Sequence, residues 1–83
     1  MHFVYIVRCA DGTLYTGYAR DPRAREKAHN SGRGARYTSG RRPVVLVYSE
    51  VCESRSEALS REYRLKRWPR RRKEALIVGG RSK

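Results

Sequence analysis

The chain has 83 residues and a mass of 9.7 kDa, which leaves room for one hydrophobic core and therefore for one domain. Twenty Lys and Arg against eight Asp and Glu give a formal net charge of +12, so the surface attracts polyanions, and nucleic acid is the expected partner class. A hydrophobic content of 39% argues against a disordered basic tail.

Membrane insertion and export are not indicated. No apolar run approaches the length of a bilayer span, and the first residues carry neither a basic leader nor a small-residue cleavage site. We therefore expect a cytoplasmic protein that makes no membrane contact.

The two cysteines, Cys9 and Cys52, are far apart in the sequence. In a reducing compartment we expect free thiols rather than a disulfide. With His2 and His29 they form a conceivable zinc set, but no C-x-x-C or H-x₃-H spacing supports it. Two buried or half-buried thiols are the favoured interpretation.

A β-hairpin is predicted at the start of the chain. Segments 3–9 and 13–18 are rich in β-branched and aromatic residues and flank a loop of three residues, 10–12, which ends in glycine. Side chains alternate between the faces of a strand, so a three-residue loop places Tyr5 and Tyr15 on the same face. A two-residue loop would place them on opposite faces.

The middle of the chain predicts a short helix, a basic loop and a third strand. Asp21 followed by proline is typical of a helix start, which predicts a helix over 22–30. Residues 32–42 have no apolar period and predict a basic loop. The continuous apolar run 44–48 predicts a strand that is covered on both faces and joins the hairpin.

Two further helices are expected towards the C-terminus. Ser54 and Glu57 match a capping box, which predicts a helix over about 55–67, where a proline interrupts it. A last helix over 69–77 is compatible with the pattern. The expected architecture is thus a mixed fold in which helices flank a sheet.

Charge divides the chain into three parts. Segments 20–42 and 61–74 each hold eight basic and two acidic residues, whereas segment 44–60 holds one basic and three acidic residues. We assign a single domain to residues 1–78 and a flexible tail to residues 79–83.

Glu62 is the most informative anomaly of the predicted second long helix. It shares a helical stripe with Ala58 and Leu65, so a carboxylate lies where core residues are expected. A buried charge requires a partner such as an arginine, a metal ion or a hydrogen-bond network. Composition alone favours a simpler interpretation, in which Glu62 reaches the helix edge and pairs with Lys66 or another nearby cation.

Four further side chains are candidates for chemistry. Tyr5 and Tyr15 are predicted to share a sheet face, and Arg25 and His29 are four residues apart on one helix. The pattern alone favours ordinary roles, with the tyrosines as core aromatics and the helical pair on a solvated face.

Taken together, these positions resemble the GIY-YIG nuclease family. Tyr5 with its preceding valine, and the triplet 15–17 (Tyr-Thr-Gly), look like the two halves of the motif. Arg25 follows the second tyrosine by ten residues, and His29 lies four residues further along, as in that family's first helix. Ala-x-x-x-Glu ending at Glu62 resembles the family's later helix.

The resemblance covers roughly residues 3–67 and is greatest to the small stand-alone bacterial members. It implies an α/β (α+β) fold with a three-stranded antiparallel sheet flanked by helices. It also implies a metal-dependent endonuclease that hydrolyses phosphodiester bonds in DNA, in repair or in the processing of unusual structures, with Mg²⁺ or Mn²⁺ as the cofactor.

The resemblance also implies a role for each site residue. Glu62 would be the metal ligand and Arg25 the clamp on the phosphate and transition state. Tyr5 and Tyr15 would place hydroxyls at the attacked phosphate, with Tyr15 the preferred general base, and His29 would be an auxiliary polar group. A phenol with its usual pKa of about 10 is a poor base near neutrality, so nearby positive charge must depress it.

Basic residues in the loop and near the C-terminus are the candidates for binding the nucleic-acid backbone, although each is equally well explained as a solvated charge. Trp68 and Tyr37 are candidates for stacking on unpaired bases or for ordinary packing. The expected backbone-binding residues are Arg33, Arg36, Arg41, Arg42, Arg64, Lys66, Arg67, Arg70, Arg71, Arg72 and Lys73.

The sequence departs from the family pattern in three places. The first motif reads Phe-Val-Tyr and lacks its glycine, Tyr18 follows Gly17, and the one asparagine of the chain is Asn30, whereas several relatives use an asparagine late in the domain. The alternative functions are a nucleic-acid-binding module with little or no turnover and an RNA- or ribosome-associated protein.

Overall fold

A computed structural model of the chain describes residues 1–81. The described part is an α+β fold in which one antiparallel sheet has the strand order β2-β1-β3. The strands are β1 (His2–Arg8), β2 (Leu14–Ala19) and β3 (Val45–Cys52). The helices are α1 (Pro22–Asn30), α2 (Arg36–Ser39), α3 (Arg55–Lys66) and α4 (Arg70–Arg81). The predicted fold class is confirmed.

The hairpin has the predicted three-residue loop. The backbone N–H of Cys9 donates to the carbonyl of Thr13 at 2.8 Å, and Gly12 has a φ of +86°, the left-handed conformation that closes such a loop. Val7 pairs with Tyr15. Paired residues point to the same face, and side chains along a strand alternate between faces, so Tyr5 and Tyr15 lie on the same face of the sheet.

Side-chain caps fix the starts of the two helices that carry site residues. Asp21 accepts a hydrogen bond from the backbone N–H of Ala24 at 3.2 Å, and α1 has the predicted bounds. The hydroxyl of Ser54 accepts from the backbone N–H of Glu57 at 3.0 Å. The Glu57 carboxylate accepts from the backbone N–H of Glu53 at 3.1 Å. In a standard capping box the donor would be the backbone N–H of Ser54, one residue later.

Two predictions about the middle of the chain are wrong. The stretch 32–42 is not all loop, because it contains the single helical turn α2. The third strand is not covered on both faces, since Val45 and Val51 are 55% and 57% exposed. It lies at a sheet edge, and the strand with a fully buried run is the central one, β1, over residues 4–7.

The C-terminal part follows the expected order with different bounds. Helix α3 ends at Lys66, and α4 runs from Arg70 to Arg81, beyond the predicted end at 77. The expected tail over 79–83 therefore begins within α4, while residues 82–83 lie outside the described residues. None of the helices within residues 1–81 is long and apolar enough to cross a membrane.

The two faces of the sheet carry separate core clusters. The face that bears Tyr5 holds a first cluster, which α1 covers. The opposite face holds a second cluster, which includes residues of α3 and is contacted by Leu76 of α4. The first cluster consists of Tyr5, Val7, Cys9, Ala19 and Val44, and the second consists of Val4, Cys52, Ala58 and Leu65.

The cysteines do not form a zinc set with the histidines. Cys9 and Cys52 are free and buried, and they belong to clusters on opposite faces of the sheet. His2 is hydrogen-bonded through Nδ1 to the Tyr18 hydroxyl at 2.8 Å. Within residues 1–81, no group of three or more His, Cys, Asp and Glu could hold a metal ion.

Candidate active site

The five predicted catalytic residues come together where β1, β2, α1 and α3 meet. The Tyr5 hydroxyl lies 2.8 Å from Nε2 of His29. The ring of Tyr15 meets the ring of His29 edge-on, with 5.4 Å between centroids. Arg25, Tyr15 and Glu62 each act electrostatically on Tyr5. Residues from four elements thus form one polar cluster.

Tyr5 is buried, with 1% of its surface exposed, and it lies across Gly17 on the neighbouring strand. A Cβ at position 17 would stand 2.5 Å from the Tyr5 hydroxyl oxygen, so the glycine of the Tyr-x-Gly motif is needed for this approach. Burial raises the pKa of Tyr5, and Arg25 opposes that shift through a hydrogen bond and its charge. Tyr5 therefore remains a neutral phenol near neutral pH.

His29 is fully buried, with 0% exposed. Its Nδ1 lies 2.8 Å from the hydroxyl oxygen of Thr38 and 3.3 Å from the backbone nitrogen of Ala35. Burial lowers the pKa of His29, and the positive charge of Arg25 lowers it further, so the ring is neutral near pH 7. A Cβ at Gly34 would stand 2.7 Å from the His29 Cα, so only glycine permits this packing.

Tyr15 is the more accessible of the two phenols, since its side chain is half-buried. Its ring stacks on Tyr37 with 5.7 Å between centroids, and the ammonium of Lys66 lies 5.6 Å from its centroid. The guanidinium of Arg41 lies over Tyr37 at 4.2 Å. Within residues 1–81 the Tyr15 hydroxyl makes no hydrogen bond, so it is free to contact a ligand.

Glu62 provides the single carboxylate of the cluster. Its side chain is 17% exposed and pairs with Lys66 at 3.1 Å, which is the partner that composition suggested. One carboxylate cannot enclose a cation, but Mg²⁺ keeps several waters and completes its shell with substrate phosphate oxygens. The donor present therefore fits a hard divalent cation that is held jointly by protein and substrate.

Many of the predicted backbone-binding residues already have partners. Arg72 stacks on Trp68 at 3.7 Å, so Trp68 is engaged in packing. Of the predicted set, four exposed side chains make no hydrogen bond, ion pair or cation–π contact within the described chain: Arg33, Arg36, Arg64 and Arg71. Five others bind a carboxylate, a carbonyl or a phenol: Arg41, Arg42, Lys66, Arg67 and Arg70.

Lys73 is the remaining member of the predicted set, and it is partly buried. Burial lowers its pKa, and the charge of Lys66 adds to that effect. The two lysines are therefore close enough to repel each other, so Lys73 of α4 lies near Lys66 of α3.

Asn30 has a structural role. Its amide nitrogen donates to the carbonyl of Val44 at 2.9 Å, and its amide oxygen accepts from the Val44 N–H at 2.7 Å. It therefore ties the end of α1 to the residue before β3, and it does not act as the late asparagine of other family members.

Sequence reasoning missed the contribution of α2 and the turn before it. Gly34, Ala35 and Thr38 surround the His29 ring, and Tyr37 stacks on Tyr15. The available signal was Gly34 with Tyr37 and Thr38 shortly after it, inside a basic stretch. This pattern is compatible with a tight turn that packs against a helix.

Comparison with known proteins identifies the family. The model of the GIY-YIG catalytic domain family matches residues 1–75. The UPF0213 protein of Staphylococcus aureus strain Mu3 is 60% identical over 76 residues, which cover 92% of this chain and 93% of that protein.

Two solution NMR structures have similar folds. The UPF0213 protein BH0048 from Bacillus halodurans has a TM-score of 0.59 and 48% identity, covering 93% of this chain and 82% of that one. The protein EF2693 from E. faecalis has a TM-score of 0.64 and 39% identity, covering 99% and 88% respectively. The match to the family model and the identity to the staphylococcal relative show that the chain belongs to the GIY-YIG catalytic domain family.

Proposed function

We propose that the protein is a metal-dependent endonuclease that hydrolyses phosphodiester bonds in DNA, in repair or in the processing of unusual structures. The observation that carries this proposal is the free hydroxyl of Tyr15 beside a carboxylate, a guanidinium and the buried Tyr5–His29 pair. Phosphodiester hydrolysis needs an activated water, charge neutralisation at phosphorus and stabilisation of the leaving oxygen. The cluster offers groups for the first two of these needs.

The two phenols are suited to different tasks. Tyr15 is accessible and makes no hydrogen bond to the described residues, and the Lys66 ammonium lies over its ring. We therefore assign its phenolate form as the general base that receives the proton of the attacking water. Tyr5 is buried and its pKa is raised, so its basic phenolate form is scarce near neutral pH. We assign Tyr5 a hydrogen-bonding role at the phosphate.

Arg25 and Glu62 complete the assignment. Arg25 offers a planar, permanently charged donor fork that suits the nonbridging phosphate oxygens. Glu62 would hold Mg²⁺ or Mn²⁺, which would neutralise the charge that develops on the leaving oxygen.

Substrate binding rests on the positive charge around the site. The exposed and unpaired Arg33, Arg36, Arg64 and Arg71 are suited to contacts with phosphates, which hold the backbone without reading bases. We therefore expect salt-sensitive binding with slight sequence preference. Tyr37 already stacks on Tyr15 and Arg41, so we assign it to the wall of the site.

A cleavage assay tests the proposal. Purified protein is incubated with single-stranded, duplex and flapped DNA, and with matched RNA, in the presence of Mg²⁺ or a chelator. We expect Mg²⁺-dependent cleavage that Glu62→Gln and Tyr15→Phe each reduce by about 10²- to 10⁴-fold, with binding retained.

Matched variants control for folding and charge. Glu53→Gln removes an exposed carboxylate that makes no ion pair within residues 1–81. Tyr18→Phe removes another phenol of β2, the strand that carries Tyr15; the Tyr18 hydroxyl is hydrogen-bonded to His2. Both controls should cleave normally. Full cleavage by Glu62→Gln would refute the metal-ligand assignment. Salt-sensitive binding without cleavage of any substrate would instead identify a non-catalytic binding module, and preferential cleavage of RNA would redirect the substrate assignment.

A further inference from the structure

The buried imidazole of His29 is hydrogen-bonded through both nitrogens. Nε2 lies 2.8 Å from the Tyr5 hydroxyl oxygen. Nδ1 faces the Thr38 hydroxyl at 2.8 Å and the backbone N–H of Ala35 at 3.3 Å. A neutral imidazole carries one hydrogen, so one nitrogen donates and the other accepts. The partners on the two sides decide which is which.

The backbone amide of Ala35 sets the direction. An amide hydrogen has a fixed position and can only donate, whereas the hydroxyl hydrogen of Thr38 rotates to suit its surroundings. The Ala35 N–H points at Nδ1, so Nδ1 must present a lone pair. Thr38 must then turn its hydrogen to Nδ1, because two lone pairs would otherwise face each other across 2.8 Å, although its oxygen also lies 2.9 Å from the carbonyl oxygen of Ala35. The single hydrogen of the ring is therefore on Nε2.

We propose that the segment 34–38 holds His29 in the Nε2–H form and thereby makes Tyr5 a hydrogen-bond donor to an anionic oxygen of the bound phosphodiester. Thr38 is a positioning residue in this scheme, because it acts on Tyr5 through His29. The part that concerns the substrate rests on the proposed nuclease function. The part that concerns the tautomer does not.

The consequence for Tyr5 follows from counting hydrogens. With Nε2–H donating, the Tyr5 oxygen accepts from His29, and the positive charge of Arg25 acts on the same phenol. The phenolic hydrogen of Tyr5 then has no acceptor among the described residues, and it would be donated to a phosphate oxygen that reaches this buried hydroxyl. In the other tautomer, Tyr5 would donate that hydrogen to Nε2, and its oxygen could then only accept hydrogen bonds from a ligand.

Close packing explains why this form persists. A Cβ at Gly34 would collide with the His29 ring and backbone, so the turn before α2 is pressed against the imidazole. Thr38 is itself fully buried. Neither ring nitrogen is open to water, which would otherwise allow both neutral forms to exchange.

Nitrogen NMR tests the tautomer directly. In protein labelled with ¹⁵N-histidine, long-range ¹H–¹⁵N correlations at pH 7 distinguish a protonated ring nitrogen from an unprotonated one, and His2→Gln assigns the two histidines. We expect His29 to show a protonated Nε2 and an unprotonated Nδ1. A proton on Nδ1, or an equal mixture of the two forms, would overturn the proposal.

Variants of Thr38 test the positioning role. Thr38→Val should broaden or shift the His29 ring resonances and lower kcat by about tenfold or more, whereas Thr38→Ser should retain the wild-type nitrogen pattern. Because Thr38 acts through Tyr5, Thr38→Val should cause no further loss of kcat in a Tyr5→Phe background. Additive losses, or a serine variant that behaves like valine, would refute this coupling.

The two proposals fail in different ways. An Nδ1–H ring in a protein that cleaves DNA would refute the tautomer and leave the nuclease intact. An Nε2–H ring in a protein that cleaves no substrate would refute the nuclease, and with it the donation from Tyr5 to a phosphodiester, while the control of His29 by segment 34–38 would stand.

Discussion

At the residue scale, the site gives one type of side chain two different environments. Tyr5 is buried against Gly17 and bonded to His29, whereas Tyr15 is half-buried and has a free hydroxyl. Desolvation penalises the charged form of the buried Tyr5 and raises its pKa. Environment therefore separates a hydrogen-bonding phenol from a candidate base.

Thr16, which lies between Tyr15 and Gly17, has the one buried side-chain polar atom without a hydrogen bond in the described chain. A buried hydroxyl without a partner carries its full desolvation cost. We predict that Thr16→Val stabilises the protein by about 1 kcal/mol, measured by urea unfolding. Thr13→Val should instead lower the free energy of unfolding, because the Thr13 hydroxyl donates to the Asp11 carboxylate at 2.6 Å. Destabilisation by Thr16→Val would show that its hydroxyl has a partner in solution.

In the proposed function, the ion pair between Lys66 and Glu62 has to open before the carboxylate can bind a metal. The pair is at helical i, i+4 spacing, and the lysine is about half exposed, so its loss is worth only a few tenths of a kcal/mol to 1 kcal/mol. We predict that Lys66→Met tightens Mn²⁺ binding by about two- to fivefold, measured by water proton relaxation without substrate. The control is Lys27→Met, which removes an exposed lysine of α1. If Lys66→Met and the wild type bind Mn²⁺ with equal affinity, the metal does not bind at Glu62.

At the element scale, α4 is held to the hairpin by a charged contact. Arg8 donates two hydrogen bonds to Glu74 at 2.7 and 2.8 Å. Arg70 reaches both Glu74 at 3.3 Å and the carbonyl of Gly12 at 2.8 Å. These contacts join the first strand and its loop to the last helix, which are far apart in sequence.

This contact predicts a loss of stability in acid. The hydrogen bonds from Arg8 are the main reason that the pKa of Glu74 falls from 4.5 to about 2. A carboxylate whose pKa is lower in the folded state stabilises the protein above its unfolded pKa, and this stabilisation disappears as the pH falls from about 4.5 to 2. Because Glu74 is about one third exposed, we discount the effect for solvent screening to about 1 kcal/mol.

Urea unfolding at pH 7 and at pH 2.5 measures the effect. Glu74→Gln should be less stable than the wild type at pH 7 and about equally stable at pH 2.5, whereas Glu53→Gln should follow the wild type at both. A Glu74→Gln protein that loses as much stability on acidification as the wild type would assign the acid sensitivity to other carboxylates.

Local signals explain which elements could be predicted. The hairpin loop, the Asp21 cap and the Ser54 cap depend on residues within a few positions of each other, so the sequence contains the whole interaction. The single turn α2 and the exposure of β3 depend on distant partners. Neither has a periodic pattern that could show it.

The same distinction applies to the site. The positions of Tyr5, Tyr15, Arg25, His29 and Glu62 could be proposed from spacing and family resemblance. Their burial could not, because it depends on the close approach of Gly34 to His29 and of Tyr5 to Gly17. The difference in burial between the two tyrosines, and the contact between Thr38 and His29, also depend on such long-range packing.

At the scale of the whole molecule, the charge is arranged around the site. Segment 20–42 supplies two of the site residues from α1, and segment 61–74 supplies Glu62 and Lys66 from α3. The two strongly basic segments therefore converge on the same cluster, whereas segment 44–60, with more acidic than basic residues, contributes none of the five. A net charge of +12 placed in this way attracts a polyanion towards this cluster.

The salt dependence of binding tests this arrangement with two variants of equal net charge. Arg36 is exposed on α2, next to the Tyr37 that stacks on Tyr15, whereas Arg55 lies at the start of α3 within the acidic segment. Arg36→Gln and Arg55→Gln each lower the net charge by one, so a general field effect would change both alike. Each lost phosphate contact reduces the slope of log K against log salt by about 0.7 to 0.9.

We therefore predict a shallower slope for Arg36→Gln and an unchanged slope for Arg55→Gln. Fluorescence anisotropy of labelled DNA, with a chelator present to prevent cleavage, measures both slopes. The free energy of counterion release depends on which charges contact phosphate rather than on the total charge. Equal slopes for the two variants would therefore mean that the nucleic-acid backbone does not pass α2. The nucleic acid would then have to approach the site from the side of α3 and α4.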